Sequence, residues 1–342
     1  MATTASGRQY NAIVGIQETG NLAIGGDGDL VAGDFLASGN YFMRMASVNP
    51  ISYDGSFQTA TILKSGKRTY EDGDYIQQYG NGIWTWDFDY IVENKILLES
   101  LLTLVTEVTD TTGTITISPA HANAKRDYAH AADTPDLCGI VFLEADTVGG
   151  LSDHDHIMHS AILQNLTLAY DSDVDGGRLH ASGQFMSGYK PIVKDSGVTG
   201  VATDSDYEKT IFSLETRTIG GHALTTVKSF SITISNPATR VGWQGTSGEA
   251  DGYSRGALYD ISGSMTIKYD DAAADALADW QSNTAYAILI EQSNTSYSIP
   301  SARMTGHNID MSDDGMFVEI PWTATTGAAG TGNLAVIKAF AA

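Results

Sequence analysis

The chain has 342 residues, enough for two domains with ordinary cores, and a formal net charge of −22. That charge excludes tight nucleic-acid binding, whose affinity comes from neutralising phosphates, and suits a surface that repels DNA. The one cysteine, Cys138, excludes an intrachain disulfide. No run of 18 apolar residues occurs and the start (MATTASGRQY) has no signal-peptide apolar region, so a soluble, non-exported product is expected.

Residues 11–24 mix short apolar pieces with glycine and read as an extended arm or edge strand; residues 25–40 read as loop. MRMASVNP (43–50) reads as a strand ending in Asn-Pro. The long connection 51–82, rich in Gly, Asp, Gln and Tyr, reads as a functional loop or assembly arm. In IWTWDFDYIV (83–92) Trp84, Trp86, Phe88, Tyr90 and Val92 alternate with Thr85, Asp87, Asp89 and Ile91, the period of a half-buried strand. Asn94 then caps a helix with an apolar stripe at Leu97, Leu101, Leu104 and Val105.

TITIS (114–118) and GIVFLEA (139–145) read as strands, with an irregular stretch at 119–136 between them. Residues 161–170 and 178–187 flank DSDVDGG, a hairpin signal. Residues 190–209 lack any period and hold the expected domain boundary. Beyond it come ALTTVKSFSITIS (223–235), ALYDISGSMTIKYDDAAADALADWQS (257–282), and strand-like runs at 284–292, 296–302, 315–322 and 334–340. In the 257–282 unit Tyr259, Ile261, Gly263, Met265, Ile267 and Tyr269 alternate with Asp260, Ser262, Ser264, Thr266 and Lys268. Asp270 and Asp271 offer N-cap carboxylates, and Ala273, Ala276, Leu277 and Trp280 follow at helical spacing, so that helix is expected to fold its apolar face back on the strand.

The two strand–helix units superpose without a gap, Trp84 on Ile261 and Val92 on Tyr269, and each follows a strand ending in Asn-Pro (43–50 and 230–237). This pattern indicates an internal duplication. The fold class expected is mainly β: two related β-sandwich or barrel domains, each with a flanking α-helix.

Chemistry-bearing clusters are few. His154, His156 and His159 in DHDHIMH offer three imidazoles, with Asp153 and Asp155 beside them, but their spacing matches no zinc motif and a solvated loop is the expected state. Asp171, Asp173, Asp175 and Gly176 open like a calcium loop; the twelfth position is Ser182 instead of a bidentate Glu, and strands flank it, so a hairpin turn is expected. GGDGD (25–29) has no lysine and is no phosphate loop. Trp84, Trp86 and Trp280 fall on core-facing positions, where packing is their expected role.

Three features together resemble the tail tube proteins of long-tailed, siphovirus-type bacteriophages in their two-tube-domain form. They are SFSITISNPATRVGW followed by the ISGSMTIKY strand and its Asp-capped helix, the strand pair 161–187 ending in FMSG, and the opening GIQETGNLA. The resemblance implies an N-terminal arm (1–40), a first tube-like domain (41–200, with loop 51–82) and a second (201–342). It implies a structural, non-enzymatic virion subunit made in the host cytoplasm and located in the viral tail. Sheets of neighbouring subunits would join into an inner barrel, three chains forming a pseudo-sixfold ring, and rings would stack into a conduit for DNA ejection. Partners would be the chain itself, tape-measure, terminator and distal tail proteins, and passing DNA; no cofactor and no membrane segment are implied. If the helices cover the aromatic strand faces, the lumen is lined by Thr85, Asp87, Asp89, Asp260, Ser262, Ser264, Thr266 and Lys268, with an acid expected to pair with Lys268. Other classes considered are a terminator or baseplate component and a β-sandwich carbohydrate-binding surface protein.

Overall fold

The computed structural model describes residues 10–17, 41–43, 45, 48–54, 82–108, 113–124, 126–129, 138–145, 155–193, 209–243, 249–293, 295–312, 315–326 and 332–338. The first half runs through β1 (Tyr10–Ile16), β2 (Tyr41–Met43), β3 (Ser52–Asp54), β4 (Ile83–Ile91), α1 (Lys95–Thr106), β5 (Thr114–Ile117), α2 (Pro119–Ala122), β6 (Arg126–Ala129), β7 (Gly139–Ala145), β8 (His156–Asp171), β9 (Leu179–Ser187) and β10 (Ile192–Val193). The second half holds β11 (Thr216–Ile219), β12 (His222–Ala223), β13 (Val227–Ser235), β14 (Thr239–Val241), β15 (Gly252–Arg255), β16 (Asp260–Lys268), α3 (Asp271–Gln281), β17 (Tyr286–Gln292), β18 (Thr295–Met304), β19 (Asn308–Ser312), β20 (Gly315–Ala324) and β21 (Ala335–Lys338).

The strand order repeats. In the first half neighbours run β2-β1-β7-β8-β9-β4-β3. In the second they run β12-β11-β17-β18-β20-β16-β13. Every contact is antiparallel, and each series carries a helix after its fourth chain-order member, α1 after β4 and α3 after β16. The mainly β, twofold-related architecture read from the sequence is therefore the architecture of the molecule.

Local chemistry explains the elements. Along β4 the Trp84, Trp86, Phe88 and Tyr90 side chains are buried and Asp87 and Asp89 exposed, as the alternation requires. Asn94 accepts from Ile96 N and Leu97 N at 2.8 and 3.1 Å, satisfying two orphan amides of α1. The helix ends at Glu107, whose left-handed backbone (φ 58°) lets its N–H donate to Thr103 O at 2.8 Å. At α3, Asp270 caps Ala272 N and Ala273 N and also accepts from Thr225 Oγ1 at 2.7 Å.

The helices differ from expectation in what they bury. Leu98 and Leu102 are buried along with the expected Leu97, Leu101, Leu104 and Val105, and so are Ser100, Thr103 and Thr106, so beyond its first turn α1 runs inside the core. On α3 only Ala273 and Ala276 are buried; Trp280, expected to face the core, is 40% exposed.

Other readings are corrected locally. Beyond Met43 the described residues of 43–50, Met45 and 48–50, are not strand, and the strand beside β4 on the edge away from β9 is β3, after the Asn-Pro rather than before it. Asn49 instead fastens to β4 by its side chain: Nδ2 donates to Asp87 O at 3.0 Å, and Trp86 Nε1 donates to Asn49 O at 2.9 Å. Over Tyr10–Ile16 the expected arm is an interior strand between β2 and β7, with Ala12, Ile13 and Val14 fully buried. The irregular stretch 119–136 contains α2 and β6. Residues 25–40, 55–81 and 194–208, on which the loop and boundary readings fall, lie outside the described residues.

Among the described residues β8 is the longest strand, and it belongs to two sheets. Its first part pairs with β7 and β10, its second with β9 and β13. Between them Ser160 takes a positive φ of 48°, where the strand turns the corner. That buried bend is fully bonded: Gln17 Oε1 accepts from Ser160 N at 2.7 Å, and Ser160 O accepts from Tyr253 OH at 2.9 Å.

Candidate functional site: a polar face shared by both halves

Because β8 pairs with β13, the two halves join into one sheet ordered β4-β9-β8-β13-β16-β20. A period of two puts alternate residues of all these strands on one face. One row across it reads Asp89, Ser182, Thr167, Thr233, Ser262, Thr323. The next reads Asp87, Gln184, Asn165, Ser235, Asp260. On the other side lie His180, Ala169, Ser231, Ser264, then Asp171, Ser229, Thr266, Glu319. The opposite face is aromatic and buried: Trp86, Phe88 and Phe185 stack with ring centroids 5.6–6.2 Å apart. Gly263 leaves room for the buried Trp322, since a Cβ there would stand 2.5 Å from its ring and 2.0 Å from Ser231 O.

The polar face is knitted by side-chain hydrogen bonds. Thr167 Oγ1 and Thr233 Oγ1 meet at 2.9 Å across the junction of the halves. Ser229 Oγ donates to Thr266 Oγ1 at 2.9 Å, Ser231 and Ser264 hydroxyls meet at 3.2 Å, and Ser262 Oγ donates to Asp260 Oδ2 at 2.8 Å. Gln184 Nε2 donates to Asp87 Oδ1 at 2.8 Å. His180 lies between two carboxylates, 3.2 Å from Asp89 and 3.1 Å from Asp175. Asp87, Asp89, Asp171, Asp260 and Glu319 set the sign of the face; Lys268 stands at its edge.

All eight residues singled out from the sequence, Thr85, Asp87, Asp89, Asp260, Ser262, Ser264, Thr266 and Lys268, share this one face. Among the described residues no carboxylate pairs with Lys268 as expected; its cross-strand neighbour is Phe317. Sequence reasoning had not assigned the contributions of β8, β9, β13 and β20. The signal was present as alternation in Asn165–Asp171 and Ser229–Ser235.

The metal candidates do not converge. Asp171, Asp173 and Asp175 occupy the β8–β9 turn, where Gly176 and Gly177 take positive φ. Asp171 Oδ1 caps Asp173 N at 2.9 Å, Asp173 binds Lys228 Nζ at 2.9 Å, and Asp175 turns to His180. The hydrogen bond and charge of Lys228 hold the Asp173 carboxyl below its usual range and raise the lysine. His156 and His159 lie within β8 and not in a loop: His156 Nδ1 meets Tyr53 OH at 2.6 Å, and the buried His159 contacts Lys190 O at 3.2 Å. His154 is outside the described residues. Among the described residues no three metal-ligating side chains cluster.

One buried group escaped sequence reading altogether. Arg255, its side chain 1% exposed, pairs with Glu107, 5% exposed, and donates to Leu163 O at 3.3 Å, Leu104 O at 3.2 Å and Asn236 O. Asn236 of the second Asn-Pro adds a bond to Val105 O at 2.9 Å. Both groups meet the last carbonyls of α1, where positive charge complements the helix dipole. They lock the core helix of the first half to the second half.

A family model described as phage tail tube protein matches residues 17–324. The chain belongs to the phage tail tube protein family. No curated protein matches it significantly. As a phage tail tube protein it is a structural component of the virion tail that assembles with itself and with other tail proteins, in a family not normally enzymatic. No helix among the described residues of this tail tube protein is long and apolar enough to cross a membrane.

Proposed function

We propose that this tail tube protein forms trimeric, pseudo-sixfold rings that stack into a hollow conduit for DNA ejection, with the polar sheet face as its inner wall. The observation that carries the reading is the β8–β13 ladder. It joins the sheets of two like modules edge to edge, so their polar faces already form one wall inside a single chain. Three chains would supply six such modules. The carboxylates of Asp87, Asp89, Asp171, Asp260 and Glu319 would repel phosphates, while the bonded Ser, Thr and Gln side chains would offer few loose donors to hold them.

The modules would comprise β1–β10 and β11–β21, which takes Tyr10–Ile16 into the first module rather than leaving it in an arm. The subunit would be made in the host cytoplasm and meet tape-measure, terminator and distal tail proteins at the tube ends. Membership of the tube family supports this reading over a terminator, baseplate or carbohydrate-binding role.

Electron microscopy of concentrated purified protein tests it: hollow tubes of uniform width are expected, and isolated globules or single rings alone would refute it. Tubes carrying Asp87→Lys with Asp89→Lys should retain DNA inside or stall its passage. Tubes that pass DNA unchanged would count against the inner-wall assignment.

A further inference from the structure

The repeated strand order leaves one edge unmatched. In the first half the distal part of β8 is paired on both sides, with β9 and with β13. Its counterpart in the second half is the end of β18 continued by β19. Leu163 lies opposite Phe185 as Met304 lies opposite Trp322, and Leu168 lies opposite Ala181 as Ile309 lies opposite Val318. The same number of residues separates the two contacts in each half, so the counterparts align without a gap. β19, however, pairs only with β20; among the described residues its other edge has no strand.

The side chains report the same vacancy independently. Leu168 and Tyr170 are 2% and 1% exposed, lying beside Ile232 and Phe230 of β13. Ile309 and Met311 hold the corresponding places and are 42% and 74% exposed. An unpaired strand edge bearing exposed aliphatic groups is a template for strand addition.

The strand that fits has a counterpart too. β3 pairs with β4 as β13 pairs with β16: Tyr53 opposes Trp84 as Ile234 opposes Ile261, which sets Ser52 in the place of Thr233. We propose that β19 of one chain receives β3 of a second copy, antiparallel, in the register that β8 and β13 use within the chain. Asn308 then faces Ser52 as Thr167 faces Thr233, and Ile309 faces Ile51 as Leu168 faces Ile232. The proposal rests on the ring reading above and names its joint; three such joints and three internal β8–β13 ladders close the annulus, and Ile309 and Met311 become covered.

The test is a full-length chain carrying Ser52→Cys and Asn308→Cys. Both residues are exposed, and the native Cys138 is buried. The side chains at the equivalent internal pair touch at 2.9 Å, and facing residues of antiparallel strands lie about 4.5–5.5 Å apart at Cα, within disulfide reach. Mild oxidation should yield covalent trimers on a non-reducing gel, and a mixture of the two single variants should yield dimers. Rings on the grid without cross-links would overturn this edge assignment and leave the ring reading intact. Cross-links in open chains without rings would keep the edge and overturn the ring of three; neither product would overturn both. Independently, Ile309→Asp with Met311→Asp should keep the parental circular dichroism spectrum and a cooperative melt yet elute as a monomer, and rings formed by that variant would overturn the proposal.

Discussion

Replacing Arg255 with Met isolates what the buried junction contributes. The guanidinium is 1% exposed and its partner Glu107 5% exposed, so removing it breaks this ion pair where water scarcely reaches. Breaking such a pair from one side costs about 3–5 kcal/mol. The carbonyls of Leu104, Leu163 and Asn236 also lose a charged donor, while water entering the vacated space offsets part of that loss. A net destabilisation of about 4 kcal/mol follows. Urea unfolding followed by fluorescence of the buried Trp86 and Trp322 measures it; with a slope of about 3 kcal/mol/M the midpoint falls by about 1.3 M. The companion Arg255→Met, Glu107→Leu removes both charges and should recover to within about 2 kcal/mol of the parent. A single-variant cost under about 1 kcal/mol, or a double variant as unstable as the single, refutes the claim that loss of this buried pair is the cause.

Further perturbations separate the other structural claims. Gly263→Ala drives a Cβ against Ser231 O and the Trp322 ring and should cost about 3 kcal/mol by overpacking, read from the same urea midpoint. Leu101→Ala in the enclosed α1 should cost about 2–5 kcal/mol, whereas Trp280→Ala on the half-open α3 should cost about 1 or less; equal costs in thermal melts would contradict the different burial of the two helices. The Asp173 carboxyl should titrate below 3.8 by carbon NMR and return toward that value in Lys228→Met. Its depressed pKa gives a stabilisation present above the ordinary carboxylate pKa and lost as pH falls through the lowered one. The raised Lys228 gives one present below 10.5 and lost as pH rises through its own, so the pair operates between acid and alkaline limits.

How much of this was legible depended on how local the cause was. Alternation in 83–92 and 260–268 reads directly because the pleat sends neighbours to opposite faces, and it correctly separated Trp84, Trp86 and Phe88 from Thr85, Asp87 and Asp89. Asn94 and Asp270 were legible as caps because an N-cap bonds amides two and three residues away. The same local logic misled at Asn49-Pro50: an Asn-Pro after an apolar run resembles its counterpart at 236–237, yet Asn49 serves β4 by its side chain and carbonyl, and the pairing strand comes later. Trp280 fell on a helical stripe, but spacing states which residues share a face and not whether anything covers that face.

The amino-acid order by itself determined the strand periods, the two capped helices, the kinship of the two halves and the acidic, hydroxyl-rich character of alternate positions. Each of these is a property of neighbours within about a turn or a pleat, or of summed composition. Only the tertiary structure decided that β8 lies against β13 and merges two polar faces into one, that α1 is buried beyond its first turn, and that Arg255 reaches Glu107 from 148 positions away along the chain. Those are pairings between distant segments, and a strand's own pattern carries which face it turns inward but no label for the strand that will lie beside it.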